Sequence, residues 1–216
     1  MYQDDLKMLC SVRAETLSLA TGLYQEQADF TPASGKWSVA EVLDHLVLAE
    51  ELYRKKFSDL IALQKAGKKA EIRSDSSEIN TSILFIPQEL LPLLELPLTI
   101  FNLFVPSFLR EKVTQYRVMP AQTPSLAKPR PSRKLGTLQA ELRASLDATR
   151  QLFDNNADLD YRRMVFSHPL MGKNDILKMI RILALHERRH QTQIREILHS
   201  RAFPAARKPQ LATSRI

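Results

Sequence analysis

The sequence Trp37-Ser38-Val39-Ala40-Glu41-Val42-Leu43-Asp44-His45-Leu46 marks the beginning of a long helix. Ser38 and Glu41 have the spacing of a capping box, in which each side chain accepts a hydrogen bond from the other residue's backbone N–H. Apolar residues then recur every three or four positions to about residue 66, at Val42, Leu46, Ala49, Tyr53, Phe57 and Leu60. This periodicity predicts an amphipathic helix with one buried face.

Three further segments show the same helical periodicity. They predict helices over residues 2–27, 135–156 and 174–200, separated from one another by polar or proline-containing loops that include 68–82 and 158–172. The chain has only five glycines, which does not favour a β protein with many tight turns. We therefore expect an all-α fold, a four-helix up-down bundle with a long crossover between the second and third helices.

The crossover contains an unusual apolar stretch. Residues 90–109 hold one charged side chain, Glu95, but three prolines interrupt any continuous helix there. The segment 83–110 is therefore expected to form short helices that pack on the bundle or on a second copy of the chain in a homodimer. The alternative is membrane contact through 90–109. Residues 120–134, rich in proline and basic residues, predict an extended loop.

Residues 1–203 are expected to form a single domain, of which 83–134 is the insertion and crossover loop. Residues 204–216 are predicted to be a disordered basic tail. The net charge of +7 lies largely in the crossover loop and this tail, a distribution typical of solvated surface, so nucleic acid is not the expected partner. The single cysteine, Cys10, excludes an intramolecular disulfide, and the polar N-terminal residues do not resemble a secretory signal, which favours the cytoplasm.

Two histidines lie one turn apart in the last predicted helix. His186 and His190 have the i, i+4 spacing that allows two imidazoles to reach one ion. His190 lies in the middle of the apolar stripe, and a buried imidazole needs a partner. A metal ion would supply one. The alternative is a pair of hydrogen-bonded core histidines.

A third histidine lies on the second helix, near its capped end. His45 is at the edge of the apolar stripe, so a bundle could bring it to the other two. Taken alone, His45 could equally be a structural histidine. Three histidine ligands would leave coordination positions open, which is typical of a catalytic rather than a structural metal site.

These two windows resemble the motifs of the DinB/YfiT-like superfamily. Residues 37–46 resemble its second-helix pattern W-[ST]-x-x-E-x-x-x-H-[LI], and residues 186–194 resemble its last-helix pattern H-x-x-x-H-x-x-Q-[IL]. The resemblance implies a four-helix bundle, often dimeric, with a divalent nickel, zinc or iron ion held by His45, His186 and His190. Relatives include transferases and isomerases that use bacillithiol or mycothiol, and proteins labelled metal-dependent hydrolases.

A rival motif and several weaker candidates share the same region. His186-Glu187-x-x-His190 also satisfies the zinc-protease pattern, but Gln193 and Glu196 stand where the metzincin extension requires Gly and His. Glu187 is then a surface partner of Arg188 or Arg189, or a group behind the metal ligands. Gln193 is expected to bind a water on the metal or to tie two helices together. His168 either packs in its loop or approaches the metal cleft as a proton shuttle.

The sequence thus predicts an enzyme with a divalent metal ion and a small-molecule substrate, a low-molecular-weight thiol among the candidates. The reaction would be thiol S-transfer or hydrolysis, and metal affinity should fall below about pH 6.5, because the histidines must be neutral to bind. The alternative is a non-catalytic metal-binding or stress-response bundle with a protein, membrane or nucleic-acid partner.

Overall fold

The computed structural model describes residues 2–73, 127–168 and 172–205. Within these ranges the α-helices are α1 (Tyr2–Leu19), α2 (Gln25–Ala28), α3 (Val39–Lys65), α4 (Leu135–Asp154) and α5 (Ile176–Leu198). A 3₁₀ turn spans Tyr161–Arg163. The mostly helical fold is therefore confirmed, and the four long helices α1, α3, α4 and α5 lie where the periodicity predicted them.

The capping box at the beginning of α3 forms as predicted. The backbone N–H of Ser38 donates to Oε2 of Glu41 at 2.8 Å, and the N–H of Glu41 donates to Oγ of Ser38 at 3.2 Å. In α5, which carries His186 and His190, the side chain of Asp175 accepts a hydrogen bond from the N–H of Lys178 at 2.8 Å. This cap begins the helix at Ile176, two residues later than expected. Both helices that carry the histidines therefore begin with a side-chain cap that accepts a hydrogen bond from a backbone N–H of the first turn.

The first helix is shorter than predicted. We expected it to run to residue 27, but α1 ends at Leu19 and the chain turns through Gly22, whose φ is +77°. A left-handed residue cannot continue an α-helix, and glycine adopts this conformation without a steric penalty. Residues 25–28 form the separate short helix α2.

The prediction that the fold is all-α was incomplete, because a small sheet packs beside the helices. Its strands are β1 (Glu71–Arg73), β2 (Val165–His168) and β3 (Gly172–Asp175), in the order β1-β2-β3. β1 pairs with β2 in parallel, and β2 pairs with β3 in an antiparallel hairpin. Strands of three or four residues are too short to show an alternation of apolar and polar residues. The sequence of residues 68–82 and 158–172 therefore indicated loops.

The helices pack around two groups of buried apolar side chains. α1 contacts α4 and α5, and α3 contacts the same two helices. One apolar group lies near the sheet, around Phe57, Phe153 and Phe166. The other includes Val42 of α3 and Ile194 of α5 and so lies close to the histidines.

Several predictions concern residues outside the described ranges. The apolar segment 83–110, its contact with a membrane or a second copy, and most of the basic tail 204–216 all lie there. Among the described residues, no helix is long and apolar enough to cross a membrane.

Candidate metal centre

Three histidines from two helices meet between α3 and α5. His45 lies in the second turn of α3, and His186 and His190 lie on successive turns of α5. His45 and His190 are buried, and His186 is half-buried. One potential ligand atom from each residue lies within 4.8 Å of the other two. The tertiary structure therefore brings together the residues that the sequence singled out.

The nitrogen atoms that face one another are the Nε2 atoms. Nε2 of His186 lies 3.2 Å from Nε2 of His45 and 3.1 Å from Nε2 of His190. Two nitrogens bound to one ion at about 2.0–2.1 Å are about 3.0 Å apart at a right angle and about 3.4 Å apart at a tetrahedral angle. The observed spacing lies between these values, so the cluster fits one transition-metal ion.

Hydrogen bonds at Nδ1 determine which ring nitrogen carries the proton in His45 and His190. Nδ1 of His45 lies 2.8 Å from the carbonyl oxygen of Ala127, which only accepts hydrogen bonds, so His45 is protonated at Nδ1. Nδ1 of His190 likewise donates to Oε1 of Gln193 at 3.0 Å. In the neutral rings both Nε2 lone pairs therefore face the third histidine, as metal ligation requires.

The third ring faces two lone pairs with one nitrogen atom. A single proton on Nε2 of His186 donates a well-directed hydrogen bond to only one of the two neighbouring Nε2 atoms at a time. Nδ1 of His186 is buried without a hydrogen-bond partner among the described residues, and this holds with or without a cation on Nε2, so it does not distinguish the two arrangements. A bound cation would accept all three Nε2 lone pairs, so the donor set fits a metal better than a hydrogen-bonded histidine cluster.

The surroundings favour the neutral form of His45 and His186. Burial lowers the pKa of His45, although the Ala127 carbonyl acts in the opposite direction. Burial of the ring lowers the pKa of His186 well below its ordinary value, and the neighbouring imidazoles of His190 and His45 lower it further. The positive charge of Arg189 contributes to both shifts. Neutral imidazole is the form that binds metal.

The indole of Trp37 covers one side of the cluster. Its ring centroid lies 5.1 Å from that of His45 and 6.1 Å from that of His190, stacked on the latter with an angle of 16°. Because Trp37 directly precedes the capped N-terminus of α3, the helix cap also positions this apolar wall. The chain contains one tryptophan, so its fluorescence reports on this site.

Comparison with known proteins agrees with the geometry. The family model of the DinB superfamily matches residues 8–194, which is most of the chain and includes all three histidines. The chain belongs to the DinB superfamily. No curated protein and no solved structure shows a significant match to it. Family membership and the three-histidine cluster together suggest that this DinB protein binds a divalent metal.

Glu187 is not the exposed residue that one of its two predicted roles required. We predicted a surface partner of Arg188 or Arg189 or a group behind the ligands, but Glu187 is 1% exposed and binds Arg13 of α1 through both carboxylate oxygens, at 2.8 and 3.0 Å. Its carboxylate is therefore part of a buried ion pair between helices. Arg13 occupies both carboxylate oxygens, an arrangement that does not favour the general-base role of the zinc-protease pattern.

The weaker candidates also have distinct surroundings. Gln193 accepts a hydrogen bond from Nδ1 of His190 on its own helix at 3.0 Å. Its predicted roles, binding a water on the metal or tying two helices together, stay predictions. The backbone of His168 ends β2, opposite Gly172 in the hairpin that leads into α5. Its proposed role as a proton shuttle remains a prediction.

Sequence reasoning missed the groups that support the histidines. Ala127 contributes only its carbonyl oxygen, and no side-chain pattern reveals such a partner. Asp44 and Arg13 are charged residues beside apolar positions of amphipathic helices. This position could have indicated that they form buried ion pairs. Both side chains are almost fully buried and ion-paired.

Proposed function

We propose that this DinB protein is a metal-dependent enzyme that acts on a small molecule, with His45, His186 and His190 as the ligands of one nickel, zinc or iron ion. The observation that carries this proposal is the convergence of three Nε2 atoms, with two of the rings held in the required tautomer. Three protein ligands leave coordination positions for a substrate, which favours catalysis over a purely structural role.

The reaction we propose is thiol S-transfer or hydrolysis. When bound, a divalent ion supplies Lewis acidity, which either acidifies a water molecule or holds a substrate thiol in its ionised form. The chain contributes the neutral imidazoles, the orientation of two of them by Ala127 and Gln193, and the apolar wall of Trp37. Arg189 is near enough to affect His45 and His186 electrostatically, and its charge favours an anionic substrate group such as a thiolate.

The first test is activity with and without metal. We expect protein purified without an immobilised-metal column, then loaded with zinc, nickel or iron, to transfer a low-molecular-weight thiol to an electrophile or to hydrolyse a small ester or amide. The metal-stripped protein should be inactive and should regain activity on reloading. Stoichiometric metal binding without turnover across these substrates would instead favour the non-catalytic metal-binding bundle.

The proton stoichiometry of metal binding gives a second prediction. Three histidines with the ordinary pKa of about 6.5 would together release about 1.5 protons per ion at pH 6.5. Because the pKa values of His45 and His186 are lowered, these two rings are mostly deprotonated at that pH, and we expect clearly fewer protons to be released. The fall in affinity should accordingly lie at lower pH than the sequence alone suggested.

Calorimetric titration with zinc in buffers of different ionisation enthalpy measures this number. In the metal-free protein the same shifts have a stability consequence, because the unfolded chain takes up protons as the pH falls through 6.5 while the folded chain resists until lower pH. The free energy of unfolding should therefore decrease as the pH falls through this window. Release of about 1.5 protons or more would contradict the environment described for His45 and His186.

Two further properties complete the proposal. We propose that the protein acts in the cytoplasm, in agreement with its single cysteine. We also propose a homodimer formed through the apolar segment 83–110, which sedimentation of the wild-type chain at several concentrations would test.

A further inference from the structure

The carboxylate of Asp44 is completely buried although it carries a charge. It directly precedes His45 on α3, and its partners come from residues 127–134, which we call the return segment because they lead the chain back to α4. A buried carboxylate is costly unless it is paired and hydrogen-bonded. The position of this charge beside a proposed ligand therefore requires an explanation.

Arg130 supplies most of the partners of Asp44. The backbone N–H of Arg130 donates to Oδ2 at 2.7 Å, its terminal guanidinium nitrogen donates to Oδ1 at 2.6 Å, and its Nε lies 3.2 Å from both oxygens. Arg133 adds an ion pair, with its Nε 3.5 Å from Oδ1. Arg133 also binds Glu141 of α4, so the attachment extends from α3 across the return segment to α4. Charge-assisted bonds of this kind are stronger and more directional than neutral ones.

The same segment supplies the carbonyl that orients His45. Ala127 lies three residues before Arg130, and its oxygen accepts from Nδ1 of His45 at 2.8 Å. Consecutive residues of α3 therefore hold the return segment at two points, Asp44 through Arg130 and His45 through Ala127. Of the two attachments, the one through Asp44 includes several charge-assisted bonds, whereas the one through His45 is a single neutral bond.

We infer that Asp44 is a positioning residue for the metal centre. By fastening Arg130 it holds the carbonyl of Ala127 against Nδ1 of His45, which keeps the proton on Nδ1 and the lone pair of Nε2 directed at the cluster. The consequence for metal affinity rests on the metal-dependent function proposed above. The consequence for the tautomer of His45 does not, because it concerns the metal-free protein.

Asp44→Asn tests this inference, because asparagine keeps the shape but removes the charge and presents N–H groups to the guanidinium. We expect the dissociation constant for zinc, measured by competition with a chromophoric chelator, to rise about 10–100-fold, as when other groups behind metal ligands are replaced. In the metal-free variant, long-range ¹H–¹⁵N correlation spectra of the imidazoles should show His45 as a mixture of both tautomers. Metal-free wild type should show the proton on Nδ1 alone.

Two further variants separate positioning from general stability. Asp147→Asn removes an exposed aspartate of α4, far from the cluster in sequence, and should leave both the zinc affinity and the His45 spectrum unchanged. Arg130→Met removes the guanidinium but keeps the backbone bond to Asp44, so the dissociation constant should rise by less than in Asp44→Asn. The Arg130 side chain is 48% exposed, so this variant provides the same measurements if Asp44→Asn does not fold.

Two results would overturn the inference. One is an unchanged zinc dissociation constant together with an unchanged His45 tautomer in a folded Asp44→Asn protein. The other is the same pair of results in Arg130→Met when Asp44→Asn does not fold. If wild type itself binds no zinc, nickel or iron, it is the proposed function that fails, and the tautomer of His45 in metal-free protein still tests the role of Asp44.

Discussion

His190→Ala is expected to lose stoichiometric metal binding. His190 is buried, and its Nε2 lies 3.1 Å from that of His186, so alanine removes one of three ligands and leaves an apolar space. If about 10–16 kcal/mol of binding free energy is shared by the three histidines and one further ligand such as water, one ligand accounts for about 2.5–4 kcal/mol, or about a 10²–10³-fold change in the dissociation constant. Elemental analysis and equilibrium dialysis with zinc measure the loss.

His199→Ala is the matched control for this substitution. His199 lies on the same stretch of chain, at the C-terminus of α5, but it is exposed and its Nδ1 donates to the carbonyl oxygen of Arg195, one turn earlier. The His199→Ala variant should bind one equivalent of zinc, as we expect of the wild-type chain. His45→Ala should behave as His190→Ala does, since both side chains contribute an Nε2 atom to the cluster.

The fluorescence of Trp37 provides an independent readout on the same samples. Its indole packs against His45 and His190, so binding of nickel or zinc at the cluster should change the emission of wild type. The response should persist in His199→Ala and disappear over the same concentration range in His190→Ala. A wild-type stoichiometry in either His45→Ala or His190→Ala would show that these three residues are not the ligand set.

Arg13→Met is expected to cause the largest loss of stability among single substitutions. Arg13 is 2% exposed and connects all four long helices, through Glu50 of α3, Glu187 of α5 and the carbonyl of Leu142 in α4. Although burial alone would lower the pKa of Arg13, Glu187 and Glu50 raise it above its ordinary value, so the guanidinium stays charged. Removing it leaves two buried carboxylates unpaired, which costs about 3–5 kcal/mol.

Denaturant unfolding of metal-free protein measures this loss. Arg143→Met, an exposed arginine on α4, is the control and should change the free energy of unfolding by less than about 0.5 kcal/mol. Arg13→Met combined with Glu50→Gln and Glu187→Gln removes all three charges and should recover part of the stability, because a buried unpaired charge costs more than an apolar or neutral replacement. A loss below about 1 kcal/mol in Arg13→Met would be too small for a buried charge network.

The ion pairs of Arg13 with Glu50 and Glu187 also show which features of the protein could be predicted from the sequence and which could not. The charges of Arg13, Glu50 and Glu187 each interrupt an apolar stripe, so their burial could have been inferred from periodicity. Their pairing could not, because Glu187 lies 174 residues from Arg13 in the chain. Opposite charges on three apolar faces indicate a buried network only once the helices are known to meet.

The sequence by itself determined the long helices, the cap at Ser38 and the spacing of His186 and His190, because these depend on contacts within a few residues of the chain. The position of His45 on the apolar stripe made it a candidate third ligand, and the family resemblance supported that choice. The end of α1 at Leu19 and the three-stranded sheet were not recognised, since a turn through Gly22 and three- or four-residue strands leave little periodic signal. Only the tertiary structure decided which groups orient the ligands. The carbonyl of Ala127 meets His45 across 82 residues, and packing of the whole bundle selects such a contact because no local pattern encodes it.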